Sequence, residues 1–133
     1  MNKTILFLCP HNAAKSVIAA ADFDQLARQA GLPFVADSAG SEPDAAVSPA
    51  VVSLLAREGL DVSQHQPRQI TPDDLRGAHR IIALGCTPGD MGLSAATVEV
   101  WPDIPVVSQE PERARGIIRA HVQMLIDDLR AAK

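Results

Sequence analysis

The chain of 133 residues has no tyrosine, one tryptophan, three phenylalanines and only two cysteines. With aromatics at 3%, there is no stacking surface of the kind that single-stranded nucleic acid requires. A formal charge of −4 argues against a broad basic face for a phosphate backbone, so no nucleic acid partner is expected. Cys9 and Cys86 are too few and too far apart for a disulfide framework or a zinc site built on paired cysteines. No H-x-x-H pair or His/Cys cluster is present, and no metal is expected. Long hydrophobic runs are missing too. Ile5–Leu8 is too short for a signal-peptide core, and nothing approaches the ~18 apolar residues of a membrane span. The expectation is a cytoplasmic protein off the membrane, with its thiols reduced at rest. Repeats, low-complexity tracts and composition breaks are also absent, so residues 1–133 read as a single domain.

What is present alternates between strand and helix. Ile5–Leu8 is a continuous apolar run, the pattern of a strand buried on both faces of a parallel sheet. Apolar residues from Val17 to Ala30 recur at helical spacing, and Gly31 stands where a left-handed C-terminal cap belongs. Phe34–Ala36 predicts a short second strand, with 37–40 as a loop. Ser48-Pro49 and Thr71-Pro72 each place a capping hydroxyl before a helix-opening proline. Residues 80–84 predict a third strand and 97–100 a fourth, at an edge. A long helix follows Pro111, with Ile117, Ile118, Ala120, His121, Met124, Leu125 and Leu129 on its apolar side. The fold class is therefore α/β: a three-layer domain with a four-stranded parallel sheet of order 2-1-3-4 and helices on both faces. Strands 1 and 3 are then central neighbours. The crevice beyond their carboxyl ends is the switch point where open α/β sheets bind ligands, and both cysteines follow those two strands.

The segment from Cys9 to Ser16 reads Cys-Pro-His-Asn-Ala-Ala-Lys-Ser, between a buried strand and a helix start. Five residues between Cys9 and Lys15 let the backbone curl so that successive N–H groups point inward. Such a nest, with the helix's positive end behind it, takes a tetrahedral oxyanion and favours a thiolate at its rim. The anion would lie against Pro10, His11, Asn12, Ala13, Ala14, Lys15 and Ser16. Lys15 adds a formal charge, Ser16 donates to the sulfur, and Asn12 accepts a left-handed backbone. His11 is either a donor to the anion or a proton source.

This loop resembles the Cys-x5-Arg-[Ser/Thr] signature of the low-molecular-weight protein tyrosine phosphatases and of the thioredoxin-type arsenate reductases that share their fold. The resemblance continues through VADSAG ending at Gly40, SPAVVSLLAREGLDVSQHQPRQITPDDL from Ser48 to Leu75, and WPDIP from Trp101. It implies that Cys9 is the nucleophile and that His65 braces Asn12 by hydrogen bonding. It also implies that the loop after Trp101 supplies a general acid. Two departures stand out. Lys15 replaces the signature arginine, exchanging a planar fork for a point charge on a flexible stem. The Asp-Pro of the acid loop is missing, so Asp103 is the one carboxylate available there.

Three readings follow. In an arsenate-reductase-like enzyme, Cys9 attacks the oxyanion and Cys86 or an external thiol then attacks Cys9. The catalytic set is Cys9, Lys15, Ser16, Cys86 and Asp103. No bound cofactor is needed, and the partners are arsenate or phosphate with a thioredoxin-like protein or a small thiol as reductant. In a phosphotyrosine phosphatase, the same loop takes a phosphomonoester. In a non-catalytic descendant, it binds an anion for regulation.

Overall fold

The computed structural model describes residues 3–94 and 98–132. Strand β1 spans Lys3–Leu8, and helix α1 follows over Lys15–Ala30. Next come β2 (Phe34–Ala39), α2 (Pro49–Ala56), α3 (Pro72–Gly77) and β3 (Ala78–Leu84). A 3-10 turn over Gly89–Met91, β4 (Val98–Trp101) and α4 (Pro111–Ala131) complete the described chain. The sheet order is β2-β1-β3-β4 with every pair parallel, as the alternating pattern predicts.

The alternation along β1 divides the core. Ile5 and Phe7 face a large cluster with Val17, Ile18 and Phe23 of α1 and Ile118, Val122 and Leu125 of α4. Leu6 and Leu8 face a smaller one with Ala39, Ile81 and Met91, over which Leu75 of α3 packs. Phe7 has its ring centroid 5.9 Å from both Phe23 and Trp101. Each such buried ring contributes roughly 1.5–3 kcal/mol. Gly31 ends α1 with φ 67°, and the amides of Gly31 and Leu32 return to Arg28 and Ala27 at 3.2 and 3.0 Å. Thr71 opens α3 with a reciprocal capping box: its hydroxyl accepts from the Asp74 amide, and the Asp74 carboxylate accepts from the Thr71 amide.

Three local expectations need correction. β2 continues through the Asp37–Ala39 stretch read as loop, because pairing with β1 runs on to Leu8 opposite Ala39, and Ser38 and Ala39 are buried there. Neighbouring strands outweigh the turn preference of Asp and Ser. Ser48 makes no side-chain cap; its amide instead donates to the Ala13 carbonyl at 3.0 Å. On α4, Ala120 is exposed and Met124 is 66% exposed, while the buried stripe carries Ala114, Arg115, Ile118, Val122, Leu125, Ile126 and Leu129. Thr97, the first residue of the predicted fourth strand, lies outside the described residues. No helix among the described residues is long and apolar enough to cross a membrane.

Candidate active site

Cys9 follows Leu8 at the carboxyl end of the central strand β1, and α1 begins six residues later. The thiol is only 5% exposed, and its Sγ lies 3.0 Å from Ser16 Oγ. The loop between is held from outside. The carbonyls of Pro10, His11 and Ala13 accept from the amides of Glu42, Asp44 and Ser48 at 2.8–3.0 Å. Among the described residues, no backbone carbonyl accepts from the amides of residues 11–15. Carbonyls turned outward and amides left free are the arrangement of an anion nest, and the start of α1 adds its dipole. Gly40 makes this close seating possible. A Cβ there would collide with the Pro10 carbonyl and sit 2.7 Å from that of Cys9.

Asn12 ties the loop together. It is fully buried with φ 49°, a left-handed conformation that asparagine tolerates better than most residues. Its Nδ2 donates to Ser16 Oγ at 2.9 Å, and its Oδ1 accepts from His65 Nε2 and from the Arg68 amide, each at 3.1 Å. His65 thus occupies the bracing position implied for it. Burial pushes the His65 imidazole below its ordinary value, with Asp37 opposing and Arg68 adding to the shift. Neutral His65 donating to Oδ1 fits that direction. Arg68 is itself fixed, its guanidinium donating to Asp74 at 2.9 and 3.0 Å and to Asp37 at 2.7 Å.

A cavity of about 370 Å³ opens over the nest, lined by Cys9, Pro10, His11, Ala13, Ala14 and Lys15. Asp44 and Ser48, Gly85, and Val106 to Ser108 complete its wall. Lys15 lies against the turn at Gly85, where φ is +68° and a Cβ would meet the lysine ammonium and lie 3.2 Å from its Cδ. Lys15 has no carboxylate partner among the described residues, which leaves a cation available beside Cys9.

Two expected residues do not line the cavity. Asp103 does not line the cavity; its carboxylate is 2.8 Å from His121 Nε2, and that contact holds it below the usual carboxylate range. His121 in turn stacks on Trp101 at 4.8 Å and 12°. Ile104 and Val107 bury themselves in the core, so the segment offers Val106, Val107 and Ser108 to the cavity instead of an acid. Cys86 is likewise outside the cavity lining. Its sulfur is half-buried 3.5 Å from Met91 Sδ, and its thiol is pushed up to about 11. Burial is the main cause, Cys9 and Asp90 add to it, and Lys15 opposes it. The sequence reading missed Asp44, the carboxylate that does reach the cavity. Nothing in its local pattern marks it, because the 42–48 segment approaches the nest through backbone bonds that no spacing rule encodes.

The architecture and the loop define a class: a parallel α/β domain with a buried thiol in the strand-to-helix loop at the sheet's switch point. The chain belongs to the family described as low molecular weight phosphotyrosine protein phosphatase, whose sequence profile matches residues 4–90. It is 26% identical over 125 residues to a protein of Halobacterium salinarum named as an arsenate reductase, covering 92% of this chain and 87% of that protein. It is 32% identical over 87 residues to the Ralstonia solanacearum low molecular weight protein-tyrosine-phosphatase EpsP, covering 64% of this chain and 57% of EpsP. Among solved structures, the Corynebacterium glutamicum thioredoxin-dependent arsenate reductase Cg_ArsC1' superposes with a TM-score of 0.82 at 25% identity. That match takes in 99% of this chain and 64% of the reductase chain.

Proposed function

We propose that the chain performs thiol chemistry on a tetrahedral oxyanion, that Cys9 is its nucleophile, and that arsenate is its substrate. The observation that carries this reading is the Cys9 thiol itself, 3.0 Å from the Ser16 hydroxyl and lining one cavity with the nest and Lys15. The Cys9 thiolate would attack arsenic, forming an S–As bond as one hydroxide departs and takes up a proton. A second thiol would then attack Cys9 Sγ. The S–As electron pair passes to arsenic, As(V) becomes As(III), arsenite leaves, and Cys9 ends in a disulfide.

Two features support arsenate over an aryl phosphate. Val106 and Val107 line the cavity, and no phenylalanine, tyrosine or tryptophan stands there to grip a phenyl group. A relative named as an arsenate reductase matches along 92% of this chain. The resolving thiol in this reading comes from outside. Cys86 sits against Met91 and stays protonated at neutral pH, and the protonated thiol is the unreactive form. A thioredoxin-like protein or a small thiol would serve as reductant, with no bound cofactor. The phosphatase reading keeps the same nest and draws support from the likeness to EpsP.

A paired assay tests the choice. Arsenate-dependent thiol consumption is measured with thioredoxin and with small thiols, and hydrolysis of an aryl phosphate is measured beside it. The expected result is arsenate-dependent consumption that exceeds ester hydrolysis and is lost in Cys9→Ser. Dominant hydrolysis moves the assignment to the phosphatase. Failure of both reactions with intact anion binding leaves the binding protein.

A further inference from the structure

The cavity over Cys9 has an imidazole and a carboxylate in its wall, and they belong to one unit. His11 Nδ1 lies 3.0 Å from the Glu42 carbonyl oxygen and 3.5 Å from Asp44 Oδ1. A carbonyl only accepts, so Nδ1 must carry a hydrogen and donate. The exchangeable position of His11 is therefore Nε2. The backbone joins the two segments, since the Glu42 and Asp44 amides donate to the carbonyls of Pro10 and His11 at 2.8 and 2.9 Å, while the His11 and Asp44 side chains remain 59% and 55% exposed. The 102–110 segment brings Val106, Val107 and Ser108 to the same cavity and no acid.

We infer that His11 delivers, through Nε2, the proton that the leaving oxygen needs, and that Asp44 steadies the imidazolium that supplies it. The inference rests on the reading of Cys9 as the attacking thiol. With arsenate, the S–As bond forms while an As–OH bond breaks. The departing hydroxide takes the Nε2 proton and leaves as water, and arsenic is still As(V) at this stage. With a phosphate ester, the same proton goes to the departing alkoxide or phenoxide. Water then reprotonates Nε2. Asp44 of the 42–48 segment favours the charged ring, and the Glu42 carbonyl accepts from it. Lys15 of α1 opposes its charge, while the Cys9 sulfur at the end of β1 and Ser108 share the cavity. A histidine whose other nitrogen is held by a carbonyl and a carboxylate is a familiar way to fix tautomer and proton direction.

The test combines one structural and two kinetic readouts. Nitrogen-15 NMR of the neutral protein is expected to show His11 with hydrogen on Nδ1; hydrogen on Nε2 overturns the assignment. Phenyl phosphate and 2,4-dinitrophenyl phosphate differ in how much they need a proton on the leaving oxygen. His11→Gln is expected to lower kcat on the first by about 10²–10⁴-fold and on the second by less than about 10-fold. Asp44→Asn should follow the same order with smaller losses. With arsenate, the wild-type kcat should fall toward high pH, and His11→Gln should remove that fall. Equal losses on both esters, or an unchanged arsenate pH profile, overturn the proton donor while leaving Cys9 in place. Turnover that survives Cys9→Ser, or a wild type that consumes no oxyanion at all, overturns the underlying reading as well.

Discussion

Lys15 is the residue where this chain departs most from the family signature, and its surroundings say what it does. Its stem and ammonium lie along the Gly85 turn, and the residue lines the cavity that Cys9 also lines. An arginine would offer two parallel donors; a lysine offers a single charge. A charge-assisted hydrogen bond is worth about 1.5–3 kcal/mol, or roughly 10–100-fold in affinity. Lys15→Met is therefore expected to raise by roughly that factor the phosphate concentration that half-protects Cys9 from alkylation. An unchanged half-protecting concentration would mean that the ammonium does not touch the anion. Asn12 was recognisable in the sequence as a residue suited to a left-handed turn. Its bond to His65, 53 residues away, was implied by the family resemblance, whereas the one from the Arg68 amide, 56 residues away, had no signal in the sequence.

At the scale of elements, Arg68 connects β2, α3 and the loop that carries Cys9. Its side chain pairs with Asp37 and Asp74, while its amide donates to Asn12. The Arg68 hydrogen bond is the main reason that Asp74 titrates below its ordinary value of 3.8, with the Thr71 cap helping and burial opposing. A depressed carboxylate adds stability above its unfolded value, and that stability is lost as pH falls through the folded one. Asp74→Asn should cost about 1–2 kcal/mol at neutral pH, allowing for solvent around Arg68. The gap from wild type should close on acidification below about pH 3.8, read by urea unfolding at several pH values. A gap independent of pH would show that the carboxylate charge is not what matters. Element boundaries were legible where capping chemistry marks them, as at Gly31 and Thr71. They were missed where pairing extends a strand, as at Asp37–Ala39, because that information resides in β1.

Across the whole molecule, α1, α2 and α4 meet at a buried ion network. Arg115, 6% exposed, donates to fully buried Asp22 of α1 and to Glu58 just beyond α2 at 2.8 and 3.0 Å, and Arg119 adds a bond to Asp22 at 3.1 Å. Removing one partner of such a pair leaves a buried charge uncompensated, at a cost of about 3–5 kcal/mol. Arg115→Leu is expected near the lower end, since Arg119 remains, and chemical denaturation would measure it. A loss below about 1 kcal/mol would show that the network does not hold the helices together. This network escaped the sequence reading because Arg115 replaces an apolar residue on the buried stripe of α4. The sheet order, in contrast, is the simplest one that βα alternation, crossover handedness and helices on both faces allow. The same topology located the cavity over Cys9, but not the side of the cavity from which the carboxylate comes. Competitive alkylation asks whether the loop after β1 holds an oxyanion against Cys9. At neutral pH, iodoacetamide followed by peptide mapping should label Cys9 well ahead of Cys86, and arsenate or phosphate should slow labelling of Cys9 alone. Equal labelling of the two cysteines, or a Cys9 rate untouched by either anion, would mean that the loop neither activates the thiol nor holds an oxyanion beside it.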